Sequence, residues 1–413
     1  MHRRLALLVV PVIAAAALAA HRPSPPPACD ANNGGLTLPK GFCATVFASV
    51  PGVRNIVVAP NGDVFAGMQR RPGVTALRDR DHDGHSDSMV TFGESFGAGT
   101  GVALSSDAIF FSPNDKVVRF SWQPGSLTPS DGGTAIITGL PVGGNHPAKT
   151  MALGKDGSLF VDHGSATNSC QEKDRTAHVP GINPCKERDM RGGVWRYDSR
   201  KPGQTPATGE HWGFGMRNAE ALAINPQTGE LWAAIHGRDQ LGDNWGFSNE
   251  DNAEKPAEEF GPVPKGADYG WPYCYFDPIT RKKVQAPEYG GDGIKQGDCA
   301  GKTQPAIGFP GHWAPMMLAF VPNANFGAEY TGGAFLAFHG SWNRAPLPQA
   351  GYRLVFIPFK RGKAVGTYST FAQGAGTDAR ISAVAMAPDG SALYIGSDGA
   401  GKIWRVVPTN ARQ

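Results

Sequence analysis

Charge is scarce in this 413-residue chain. Asp, Glu, Lys and Arg together make 18% of it, and the formal net charge is only +3. A balance that small leaves no electrostatic footprint for nucleic acid or an anionic membrane surface. Beyond the N-terminus there is no apolar run long enough for a stable membrane span. Cys-x-x-Cys is missing, and with it the zinc and redox motifs built on that spacing. Cys-x-x-Cys-His is missing as well, so the sequence carries no c-type haem attachment site.

Glycine and proline, by contrast, are plentiful, at 55 and 34 residues. Gly costs about 1 kcal/mol and Pro about 3 kcal/mol inside a helix. This composition therefore disfavours a helical bundle and suits short strands joined by tight turns. The 9 Trp and 21 Phe exclude a disordered polar chain.

The N-terminus reads as a secretory leader over residues 1–20. Arg3 and Arg4 precede an uncharged run from Leu5 to Ala19, and Ala17-Leu18-Ala19 offers a small-residue cleavage site. Residues 21–37, opening His-Arg-Pro-Ser-Pro-Pro-Pro, are expected to form an extended linker. Residues 38–410 then make a single domain. Export to the periplasm or outside the cell suits the even set of Cys29, Cys43, Cys170, Cys185, Cys274 and Cys299. Six cysteines allow fifteen pairings. Neighbours in sequence are the easiest partners: 29–43, 170–185 and 274–299.

One pattern recurs along the domain: an apolar alternation, a Pro/Asp/Asn-Gly turn, then a second apolar run. It appears at Ile56–Phe65, at Val102–Phe111 without the glycine, at Met151–Phe160, at Leu222–Trp232, in degenerate form at Leu318–Leu336, and at Val384–Ile395. Asn-Gly or Asp-Gly between apolar runs signals a hairpin, because tight hairpin turns need positive φ. Six copies predict an all-β, six-bladed β-propeller with long loops inserted on one face. A pair of β-sandwiches is the alternative. Residues 41–50 are placed to close the ring beside Lys402–Val406.

The unusual polar residues fall in loops next to these repeats. His146, in Gly143-Gly144-Asn145-His146, directly precedes the third copy and has the chemistry of a general base. Arg217 and Asn218 precede the fourth and suit a carboxylate and a carbonyl. His236-Gly237-Arg238-Asp239 follows it, and main-chain carbonyls in such a turn suit Ca²⁺. His339-Gly340-Ser341-Trp342-Asn343-Arg344 and Arg380 add two cations. Separately, Asp79, Asp81, Asp83 and Asp87 surround Gly84 like the first half of an EF-hand loop, although Val90 stands where the bidentate Glu belongs. A structural Ca²⁺ and a metal-free Asx-rich turn both fit that segment.

In this order, the segments resemble the soluble PQQ-dependent sugar dehydrogenases of the glucose/sorbosone dehydrogenase family, over most of residues 38–408. The His-Gly-Ser-Trp-Asn-Arg and Gly-Arg-Asp segments are nearer the sorbosone branch. The resemblance implies a six-bladed propeller holding PQQ and Ca²⁺. It implies His146 as catalytic base, and Arg217, Asn218 and Arg380 as PQQ contacts, with Arg344 in place of the family's lysine. Gly237 and Arg238 match the carbonyls that hold the PQQ-bound Ca²⁺. The implied reaction is oxidation of an aldose or sugar aldehyde by hydride transfer to PQQ, with a separate cytochrome or quinone as electron acceptor. Two departures stand out. The glucose enzymes have Asp where this chain has Asn145, and the approach to the second repeat, Gly93–Gly101, lacks their PQQ-contacting glutamine. A metal-dependent sugar lactonase and a non-catalytic carbohydrate- or protein-binding propeller are the alternatives.

Overall fold

A computed structural model describes residues 29–374 and 380–409. The proposed leader and residues 21–28 of the linker lie outside the described residues. Six antiparallel sheets form the body, each with four principal strands, and two of them carry a short fifth strand. Blade 1 is built from Val53–Val58, Val64–Pro72, Val74–Arg78 and Ser88–Phe92. Blade 2 is Gly101–Leu104, Ala108–Ser112, Lys116–Ser121 and Thr134–Thr138. Blade 3 is Met151–Leu153, Ser158–His163, Gly193–Asp198 and Glu210–Phe214. Blade 4 is Ala221–Ile224, Leu231–Ile235, Glu258–Pro262 and Ile307–Phe309. Blade 5 is Pro315–Phe320, Ala334–Phe338, Arg353–Ile357 and Ser369–Gly374. In blade 6, Ile381–Met386, Leu393–Ser397 and Lys402–Pro408 are completed by Phe42–Ser49.

That last pairing closes the ring, with Ala44 opposite Val406 and Thr45 opposite Arg405. The innermost strands pack against one another in cyclic order. The fold is therefore the predicted six-bladed β-propeller, and each sequence repeat is the inner hairpin of one blade. Gly62 and Gly157, in two of those hairpins, have φ of 89°, a value L side chains rarely adopt.

Blade-on-blade packing supplies the core. Phe335, Phe356 and Phe371 of blade 5 meet Ile395 and Trp404 of blade 6. Phe65 and Val74 of blade 1 meet Ile109 and Phe111 of blade 2. The second strands Ala108–Ser112, Leu231–Ile235, Ala334–Phe338 and Leu393–Ser397 are buried at every position. Both their faces are covered, so they read as continuous apolar runs rather than alternations.

Residues 29–37, expected to belong to an extended linker, pack on the domain. Cys29 is bonded to Cys43, and Leu36–Thr37 pairs with the outer strand of blade 5, burying Leu36. A crosslink and a short strand thus tie residues 29–37 to the domain. The pairs Cys170–Cys185 and Cys274–Cys299 also form as sequence proximity suggested. Both crosslink long insertions: 164–192 between two strands of blade 3, and 263–306 between two strands of blade 4. Trp271 joins these insertions, donating from Nε1 to the Asn168 carbonyl at 2.9 Å.

Candidate active site

The antiparallel order places the starts of all inner strands on one face, together with the loops joining second and third strands. Three of those loops are long: 164–192, 236–257 and 339–352. They surround a cavity of about 250 Å³ lined by His146, Arg175, Arg217, His236, Asp239, Glu258, His312 and Trp342, among others.

His146 is held by its Nδ1, 3.0 Å from both the carbonyl and the hydroxyl oxygen of Ser165. The hydroxyl donates onward to the Thr167 carbonyl at 2.6 Å. A carbonyl can only accept, so Nδ1 carries the hydrogen and Nε2 keeps its lone pair. Burial, followed by the nearby Arg217 and His236, holds the imidazole pKa well below 6.5, against opposing pulls from Ser165 and Asp239. The ring is therefore a neutral base at neutral pH. Gly164 allows this approach. A Cβ there would lie 2.6 Å from His146 Cβ and 2.9 Å from Asn218 Oδ1.

Arg217 is 4% exposed and fully engaged. Nε donates to the Asn168 carbonyl at 3.1 Å, and Nη1 to the Gly237 carbonyl at 2.8 Å. Nη2 reaches Asn168 Oδ1 at 3.0 Å and Asp239 Oδ2 at 2.9 Å. Asp239 is the hub of the site. Its Oδ2 also accepts from Arg175 Nη2 at 2.9 Å, and its Oδ1 from Asn343 Nδ2 at 3.2 Å. His312 Nδ1 lies 3.5 Å from the same Oδ1. Burial pushes this carboxyl up, but Arg217, His312 and Arg175 together hold it well below 3.8. Asn145, beside the base, donates from Nδ2 to Asp174 Oδ2 at 3.0 Å, and Asp239 supplies a negative charge from another blade.

The remaining sequence candidates separate. Asn218 donates weakly to Glu220 Oε2 at 3.4 Å, and its Oδ1 is buried without a partner. Gly237 lines the cavity, with its amide on Glu258 Oε2 at 2.8 Å. The Arg238 side chain turns away into a buried pair with Glu288 at 2.7 Å. Arg344 also turns away from the cavity. It is buried against the carbonyls of Ala253, Gly311 and Pro348 and the Glu254 carboxylate. Its role is to pin two loops together. Arg380 stands exposed at the start of its inner strand, near Asp398, which pairs with His339 at 3.0 Å and Arg54 at 3.1 Å.

Asp79, Asp81 and Asp87 do converge, each with one carboxylate oxygen within 4.8 Å of the others. Asp83 caps the His85 amide at 2.8 Å instead of joining them. This loop joins the third and fourth strands of blade 1, on the face opposite the cavity.

Sequence reading missed Arg175, Glu258 and His312. Arg175 lies in a disulfide-tied loop with no repeat to mark it. His312, three residues before an inner strand, had the same kind of signal as Arg217: a polar residue just before a repeat.

The family model described as TrAA12-like matches residues 36–409. A Trichoderma reesei carbohydrate-active enzyme of family AA12 is 19% identical, with TM-score 0.77, over 91% of this chain and 98% of that one. The holo PQQ domain of a pyranose dehydrogenase from Coprinopsis cinerea is 18% identical, with TM-score 0.74, over 90% and 97%. The PQQ-bound aldose sugar dehydrogenase from Streptomyces coelicolor is 17% identical, with TM-score 0.55, over 90% and 99%. An uncharacterized protein of Borreliella burgdorferi is 27% identical over 164 residues, and the match spans 38% of its length.

Proposed function

The chain belongs to the TrAA12-like family, and from that premise we propose that it is a PQQ- and Ca²⁺-dependent oxidoreductase acting on an aldose or sugar aldehyde. The observation that carries the reading is His146, a neutral base with its Nε2 lone pair free, beside Arg217 in one cavity.

The residues present fit the two groups. Asn218 Oδ1 and Asn343 Oδ1 are buried without donors, as a ligand's polar atoms would require. Among the described residues, the Arg238 carbonyl accepts no hydrogen bond, and the Gly237 carbonyl accepts only Arg217. Those main-chain oxygens, with Glu258 beside them, are what a hard cation takes. When bound, PQQ supplies an ortho-quinone that accepts hydride, and Ca²⁺ polarises its carbonyl.

The protein's own part is position and proton handling. His146 Nε2 removes the substrate hydroxyl proton. Arg217, locked by four hydrogen bonds, presents a fixed positive field. Arg175 and Arg380 hold carboxylates at the rim, and the 67%-exposed Trp342 gives the mouth an aromatic wall. The Gly-Arg-Asp and His-Gly-Ser-Trp-Asn-Arg segments favour a sorbosone-like substrate. Three disulfides suit an oxidising compartment, so we place the protein in the periplasm or outside the cell. A separate cytochrome or quinone takes the electrons. The Asp79–Asp87 loop holds a structural Ca²⁺ in the same reading.

A metal-dependent lactonase would need free carboxylates round its ion, whereas Asp239 is spent on Arg217 and Arg175. The test is reconstitution of the folded protein with PQQ and Ca²⁺, followed by dye-linked oxidation of a panel of sugars and aldehydes. Turnover with a change in quinone absorbance supports the reading. Neither signal from folded protein rejects it.

A further inference from the structure

His146 sits in a segment without regular structure. Residues 139–150 join the last strand of blade 2 to the first of blade 3, and no ladder holds them. The aim of the ring is therefore set largely by side chains. Arg191 holds the start of the loop, donating to the Val142 carbonyl and, at 3.2 Å, to the Gly143 carbonyl. Lys149 holds the end. Its Nζ donates to the Pro147 carbonyl at 2.7 Å and to the Ala148 carbonyl at 3.3 Å. Among the described residues those two carbonyls accept no other hydrogen bond. Two cations thus clamp the loop on either side of His146.

Lys149 is fully buried. A buried ammonium is costly unless its donors are matched, and here main-chain carbonyls match them. Burial pulls its pKa down to about 8, with Asp162 opposing, Arg191 adding to the fall and Glu220 opposing. The ammonium therefore stays charged at neutral pH.

Asp162 is buried on the second strand of blade 3. Its Oδ1 accepts from the Ala219 amide at 3.1 Å, one residue past Arg217 and Asn218. Its own amide donates to the Thr150 carbonyl at 3.1 Å, one residue past Lys149. Asp162 thereby joins the end of the base loop to the segment that presents Arg217 and Asn218.

We propose that Lys149 is a positioning residue for the base, whose ammonium gathers the Pro147 and Ala148 carbonyls and so fixes the loop with His146 Nδ1 on Ser165 and Nε2 toward the cavity. Asp162 is its counter-charge and keeps the same loop in register with Arg217 and Asn218. The inference rests on the dehydrogenase reading for the base's role. Both Lys149 bonds land on the two residues that directly follow His146, and neither lands on a strand. A misplacement of about 1 Å at a reacting group can cost about 10² in rate, so slack at this point is read in kcat.

Lys149→Met keeps the apolar stem and removes the donors. In the full-length, cofactor-free protein, nitrogen NMR of the His146 ring reads its tautomer. The wild type should show the Nδ1–H form alone. Lys149→Met should show the Nε2–H form mixed in, because Ser165 no longer selects one. In enzyme reconstituted with PQQ and Ca²⁺, kcat should fall by about 10–10² with KM unchanged. Lys149→Met leaves Asp162 without its counter-charge. A second variant, Lys149→Met with Asp162→Asn, removes both charges and keeps an acceptor for the Ala219 amide. It should show the same mixed tautomers and the same loss of kcat. A ring that stays purely Nδ1–H in either folded variant overturns the proposal, as does an unchanged kcat where the wild type is active. A folded wild type with no turnover rejects the dehydrogenase reading instead, and the ring tautomer alone then decides whether Lys149 positions His146.

Discussion

Arg217 Nη2 meets Asp239 Oδ2 at 2.9 Å, with both residues buried between blades 3, 4 and 5. One carboxylate answers two guanidiniums here, because Arg175 reaches the same oxygen. Removing one partner of a buried pair strands the other, at a cost of about 3–5 kcal/mol. Asp239→Asn should lower global stability by that order, seen as a shifted denaturant midpoint. It should also release Arg175 and so weaken PQQ binding. A midpoint within error of wild type would contradict the hub role.

His146 should set the acid limb of activity. Burial and Arg217 hold its pKa well below 6.5, so the base stays neutral through pH 6.5. The kcat/KM profile should therefore remain level at pH 6.5 and fall only in more acid solution; a limb centred at 6.5 or above would disprove the assignment. His146→Ala should cost about 10²–10⁴ in kcat with PQQ still bound, as read by titration of the quinone absorbance. The same shift bears on folding. The unfolded chain protonates this histidine first as pH drops below 6.5, so acid removes stability in that window. Buried His163 and His211, the latter drawn down to about 4, act in the same direction.

Arg344 and Arg380 should separate cleanly. Arg344→Gln leaves the carbonyls of Ala253 and Gly311 short of a donor and Glu254 short of its cation, and should mainly lower the melting temperature. Arg380 is exposed at the start of its inner strand. Arg380→Gln should leave melting unchanged and raise the Kd for PQQ about tenfold, the effect of losing one charge-assisted contact. The reverse pattern would exchange their roles.

The Cys170–Cys185 bond closes a 15-residue separation that carries Arg175. Replacing both cysteines with serine should cost about 3 kcal/mol through the freer unfolded chain. It should also raise KM more than it lowers kcat, because Arg175 is held by this loop together with Asp239 and Gln240. Equal losses in both constants would argue for general unfolding instead.

Much of the site was legible because inner strands begin at the site and each begins a repeat. His146 and Arg217, which line the cavity, are polar residues set just before an apolar run, and His312 obeys the same rule; Arg380 also precedes one but stands exposed near Asp398. Arg344 obeyed a motif and not this rule, and its side chain turned inward. Arg175 and Glu258 obeyed neither. Their place depends on where an insertion folds back and on which end of a strand meets the cavity.

The sequence alone marked the six repeats and the strand able to close the ring, because apolar hairpins are local facts, whereas the choice among fifteen cysteine pairings was made by the fold. Tertiary structure decided which cations face the cavity and which are spent inside the wall. A guanidinium must satisfy its donors wherever the chain buries it, and only the packed loops say whether the acceptors are Asp239, Glu288 or Glu254. The glycines show the same division. Their turn positions are written in the chain, whereas the need for Gly164 arises only when His146 and Asn218 close over it.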